Sequence, residues 1–68
     1  MIEGVVANFD DHAGWGVLVT NGGEQLFFHC VSIRGGGRTI AVHARVGAVR
    51  SVGQRGRDEA LDVYLLAP

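Results

Sequence analysis

Lysine is absent from this chain. All 6 basic residues are arginine, they face 7 acids, and the formal net charge is −1. A strongly basic balance is the usual footprint of a protein that grips duplex nucleic acid, and its lack counts against that class. Single strands remain open, because stacking carries part of their binding energy and arginine stacks on bases as well as pairing with phosphate. Cysteine occurs once, which excludes an internal disulfide. Proline also occurs once, at the last position. No apolar run approaches the roughly 20 residues of a membrane-spanning helix. No basic start precedes an apolar stretch of about 7–15 residues, so a cytoplasmic, reducing setting is expected. No segment sustains a helical period over about ten residues.

What the chain does contain is glycine, 11 in 68 residues, between Val-rich runs. That pattern predicts short strands joined by tight turns, within a single domain spanning 1–68. The expected strands run over 2–9, 15–20 and 25–30, within 41–52, and over 59–66. The polar turn "DDHAG" separates the first two. Asn21-Gly22-Gly23 signals a hairpin, since Asn and Gly tolerate positive φ at low cost. "VSIRGGGRT" reads as a turn, with room for one helical loop and a triple-Gly tip. In the last strand, alternation places Leu61, Val63 and Leu65 on one face and Asp62 and Tyr64 on the other. Five short strands in a chain that buries only about 60% of its unfolded surface point to a closed barrel, because closure removes unprotected edges. The expected fold is all-β, a five-stranded antiparallel OB-like barrel.

The scarcest side chains gather in one hairpin, "GWGVLVTNGGEQLFFHC". In its second half Leu26 and Phe28 share one face and suit a core; Phe27 and His29 share the other. In its first half Trp15 and Val17 share a face, opposite Gly16 and Leu18. Pairing around Asn21-Gly22 can bring Trp15, Val17, Phe27 and His29 onto one outer surface. Exposed rings on a small protein mark a surface that something covers, and a base stacked on such a ring gains roughly 1–3 kcal/mol. Burial beneath a loop or in a dimer is the other way to cover them.

The first 30 residues resemble the opening strands of a bacterial cold-shock domain. The family begins with a Gly-x-Val-x-x-Phe strand, here Gly4, Val6 and Phe9. Its first ribonucleoprotein-type motif, Lys-Gly-Phe-Gly-Phe-Ile, corresponds to Ala13-Gly14-Trp15-Gly16-Val17-Leu18. Its second, Val-Phe-Val-His-Phe, corresponds to Leu26-Phe27-Phe28-His29-Cys30. Ser32-Ile33, Ile40, Val46, Arg55-Gly56 and Ala60-x-x-Val63 continue the likeness more loosely. The resemblance implies a five-stranded OB-like barrel that binds single-stranded RNA or DNA through aromatics of the second and third strands. It further implies a nucleic-acid chaperone or a regulator of transcription or translation.

The departures fall on the implied binding face. Val5 and Ala7 stand where the family has Lys, Asn8 where it has an exposed Trp, Ala13 at another Lys, Val17 and Cys30 at Phe positions, and Arg38 near a loop Phe. Three lost stacks at ~1 kcal/mol each would weaken binding by more than about a hundredfold. The expected nucleic-acid-binding residues are Phe9, Trp15, Phe27 and His29, with Arg38 and Arg55 near the backbone. Arg34 is a further loop cation, and Arg38 could replace a lost ring by planar stacking.

The fourth strand raises a folding question. Strict alternation after Val46 would point Ala48 and Arg50 inward, and a buried unpaired Arg is untenable. A bulge at Gly47-Ala48, which would turn Val49 inward and Arg50 out, is therefore expected, or else an irregular or partner-completed fourth strand.

Neither catalysis nor a cofactor is expected. His29 and Cys30 are strand neighbours that point to opposite faces, so the imidazole cannot readily activate the thiol. His12, His29, His43 and Cys30 lack the spacing of a metal site. Gly35-Gly36-Gly37 lacks the Lys-Ser/Thr and helix of a phosphate loop. Two functional expectations follow: single-strand binding by the aromatic surface, or a degenerate cold-shock fold whose apolar outer face takes up a protein partner, including a second copy of the chain.

Overall fold

Among the described residues, five strands account for nearly all the regular structure. The computed structural model describes residues 1–35, 39–52 and 58–66. β1 (Ile2–Asp10), β2 (Trp15–Thr20) and β3 (Gln25–His29) form a meander. A 3-10 turn, Cys30–Ser32, follows, then β4 (Arg45–Val52) and β5 (Asp58–Leu65). The sheet closes on itself in the order β1-β2-β3-β5-β4, with β4 returning to β1.

The expected all-antiparallel pairing needs one correction. β3 and β5 run parallel, meeting at Phe27 and Glu59, and the isolated Ile33–Val63 bridge extends their seam. Ile33 can continue along β5 because the 3-10 turn ends β3 one residue earlier than expected. A parallel neighbour needs a long crossover, and here the segment from Cys30 through β4 provides it.

Alternation fills the barrel. Val6, Leu18, Leu26, Phe28, Val46 and Val63 are fully buried, joined by Ala48, Ala60 and Ile40. Ile40 belongs to the β3–β4 connection, which is tied to β1: the His43 N–H donates to the Val6 carbonyl, and the Val6 N–H donates to that of Ala44.

Two bulges set which residues face inward. Val6 pairs with Leu18 and Asn8 with Val17, so Ala7 is an extra residue on β1. Strict alternation after Val6 would turn Asn8 inward; the added residue turns Phe9 inward instead. The second bulge was expected on β4 at Gly47-Ala48, and it lies on the opposing strand. Gly47 pairs with Tyr64 and Val49 with Leu61, so Ala48 stands opposite two β5 residues, Asp62 and Val63. Asp62 has φ 53°, the left-handed region that relieves such a bulge.

β4 itself keeps regular register against β1, Ala48 fills the core beside Ile2, and Val49 remains 44% exposed rather than turning inward. Arg50 avoids burial by position. It lies beyond the last β1 partner of β4, exposed to solvent, where its guanidinium meets Glu24 at 2.5 Å and Asp58 at 3.9 Å. The hydrogen bond to Glu24, helped by the charges of Glu24 and Asp58, raises its pKa above the usual arginine value.

The β5 bulge also corrects the predicted faces of that strand. Ala60 and Val63 point inward and Leu61 is exposed; Leu65, the last residue of the strand, is exposed although it pairs with buried Val46. No alternating pattern could place both Ala60 and Val63 in the core; one inserted residue does.

Candidate functional site

The outer face of the β2–β3 hairpin is built by register. Trp15 pairs with His29, Val17 with Phe27 and Val19 with Gln25. Their side chains share the side opposite Leu18, Leu26 and Phe28. Trp15 and Phe27 are diagonal neighbours across the ladder, with ring centroids 5.3 Å apart and planes tilted by 48°. Trp15 is 38% exposed, the His29 side chain 62%, and Phe27 is half-buried. Trp15, Phe27 and His29 therefore form one continuous surface.

Both ends of the hairpin are held by backbone geometry. At the β1–β2 turn, the Asp10 carboxylate accepts hydrogen bonds from the His12 and Ala13 N–H groups, each at 2.9 Å. Gly14 takes φ +80°, donates its N–H to the Asp10 carbonyl and accepts one from the Cys30 N–H. These bonds hold Trp15 and His29 level at the same end of the ladder. At the far end, Thr20 and Glu24 bracket the predicted turn. The Gly23 N–H donates to the Thr20 carbonyl, and Gly23 takes φ +88°. This is the three-residue hairpin loop with a left-handed third position.

Phe9, expected among the binding residues, lies elsewhere. It packs on the core and stacks on buried Phe28, with centroids 5.7 Å apart and planes within 13°. The Ala7 bulge is the cause. Arg38 and Arg55 lie outside the described residues.

The electrostatic border of the surface was not legible in the sequence. Glu59 sits beside Phe27 through the parallel β3–β5 pair, with Oε1 3.7 Å from His29 Nε2. Asp10 pairs with Trp15 on the other flank. The described arginines all face acids: Arg34 meets Asp62 at 3.9 Å and covers the Tyr64 ring at 4.8 Å, Arg45 meets Glu3 at 3.9 Å, and Arg50 meets Glu24 and Asp58. Among the described residues, then, the ring surface is bordered by carboxylates, and the cations present are engaged with acids.

Among the described residues no group of three His, Cys, Asp or Glu side chains converges as a metal site would require. The His29–Cys30 step falls at the end of β3, with Cys30 half-buried next to Gly14.

No family model and no curated protein matches the chain. The small closed five-stranded barrel is compatible with OB and cold-shock-like domains.

Proposed function

We propose that this protein binds single-stranded RNA or DNA, weakly and with few ionic contacts, by stacking bases on Trp15, Phe27 and His29. The observation that carries the reading is the adjacency of those three groups on one exposed hairpin face, two of them in ring contact. Each base stacked on such a ring is worth roughly 1–3 kcal/mol. Two or three stacked bases give a modest affinity, and the acidic flanks at Asp10 and Glu59 oppose the phosphates. A chaperone or regulatory role, keeping strands unpaired, is the cellular use that fits such binding. Titration of the Trp15 fluorescence with thymidine and uridine heptamers tests it. Saturable quenching is expected; an unchanged signal at high micromolar oligonucleotide overturns it.

A specific observation favours a second reading, protein contact on the same face. Val5 and Val19 pair across β1–β2, and Val17 continues the apolar row toward Phe27. Val5 is exposed, and Val17 and Val19 are half-buried. Such a row suits a protein surface, including that of a second copy, better than a charged strand.

A further inference from the structure

Two carboxylates border the ring surface through direct sheet pairing with an aromatic, Asp10 with Trp15 and Glu59 with Phe27; that of Asp10 already accepts from the His12 and Ala13 N–H groups. The Glu59 side chain is 24% exposed, and among the described residues no hydrogen bond reaches it. His29 Nε2 stands 3.7 Å from it, beyond hydrogen-bonding range. A carboxylate that is partly exposed beside the rings offers acceptor sites to a ligand's donors. Neighbouring strands lie about 4.8 Å apart, so a base resting on the Phe27 ring extends its edge over the Glu59 strand.

We infer that Glu59 makes this surface selective for guanine among single-stranded bases. The inference rests on the single-strand reading above. A carboxylate is an acceptor-only group with two oxygens side by side. Guanine carries two adjacent donors on its Watson–Crick edge, N1–H and the N2 amine, matching that pair of oxygens. Cytosine offers one amine donor there, followed along the edge by the N3 and O2 acceptors that the carboxylate repels; adenine likewise offers one amine beside an acceptor. Thymine and uracil present a single N3–H between two carbonyls, both opposed by the negative charge. Sequence-specific reading of single strands works through such edges while the faces stack. Arg34, Arg45 and Arg50 all face acids, so phosphate attraction from the described residues does little to swamp the discrimination.

The test compares a thymidine heptamer with the same strand carrying one central guanine, inosine or cytosine, by anisotropy of a labelled strand. The guanine strand is expected to bind roughly tenfold tighter than all-thymidine, with cytosine between them. Inosine keeps N1–H but lacks the N2 amine, so it loses most of the gain. In Glu59→Gln, which replaces one acceptor oxygen by a donor, the guanine-to-thymine ratio is expected to fall to about one. Equal binding of guanine and thymine strands by the unaltered protein overturns the inference. So does a guanine preference that survives both inosine and Glu59→Gln. The inosine arm uses the unaltered protein and is independent of whether the variant folds. Binding of none of the strands removes the single-strand reading as well. Binding of all of them equally removes only the role given to Glu59.

Discussion

Gly16 faces Phe28 across β2–β3 with no room for a side chain. A Cβ on Gly16 would stand 2.8 Å from the Phe9 ring, 3.0 Å from the Phe28 ring and 2.6 Å from the Asn8 carbonyl oxygen. The two stacked rings occupy the inward space directly beneath Trp15 and Val17, so the outer surface rests on this gap.

Gly16→Ala therefore forces either the rings or the β1 backbone to move. Overpacking of this kind costs about 1–3 kcal/mol, and in so small a domain each kcal/mol lowers the Tm by about 4–8 °C. Thermal unfolding followed by circular dichroism should show a fall of that order. An unchanged Tm would contradict the ring stacking described for Phe9 and Phe28.

The β5 bulge makes a prediction of opposite sign at Asp62. A left-handed backbone costs a β-branched residue roughly 1–2 kcal/mol, while glycine adopts it freely. Asp62→Val should lower the Tm, whereas Asp62→Gly should leave it near the original or raise it. The exposed ion pair with Arg34 that both variants lose is worth little. Equal losses in both would place the stabilisation in that ion pair instead of the backbone.

Single-strand binding should depend on ring area more than on charge. Trp15→Ala and Phe27→Ala should each weaken oligonucleotide binding about tenfold, measured by anisotropy of a labelled strand. The same assay repeated across salt concentrations should give a shallow line. With at most about two phosphates neutralised, the slope of log K against log salt stays near −1.4 or smaller. A slope several times steeper would move the binding to a basic surface and away from the hairpin.

The protein-contact alternative separates by mass. Sedimentation at micromolar concentrations should show a monomer whose Trp15 stays open to a neutral quencher. A dimer that shields Trp15, and that Val5→Glu or Val17→Glu dissociates, would favour the Val5–Val19–Val17 row as an interface.

How much of this was legible beforehand depends on range. The grouping of Trp15, Val17, Phe27 and His29 on one face follows from a period of two along each strand and a turn only a few residues long. Leu18, Leu26 and Phe28 fall inside by the same rule. Phe9 went the other way because one added residue at Ala7 shifts all that follows it, and the side chain of Ala7 carries no mark of that insertion. Leu61 is hydrophobic yet exposed for a similar reason: the insertion at Asp62 breaks its phase with inward Val63 and leaves it paired with outward Val49. Glu59 had no local signal. Its place beside Phe27 depends on a parallel pairing between strands separated by the whole β3–β4 connection and β4.

Amino-acid order by itself determined the number of strands, most of their limits, the hairpin and its loop, and the outward set of rings. Each of these is settled by interactions among residues close in the chain: alternation, turn conformations and local patterning. Tertiary closure alone decided the parallel seam, the position of both bulges, the inward turn of Phe9, the exit of Arg50 at the barrel rim and the carboxylate beside the rings. Closing five strands into one barrel fixes their relative register, and a one-residue slip there redirects side chains whose identity has not changed.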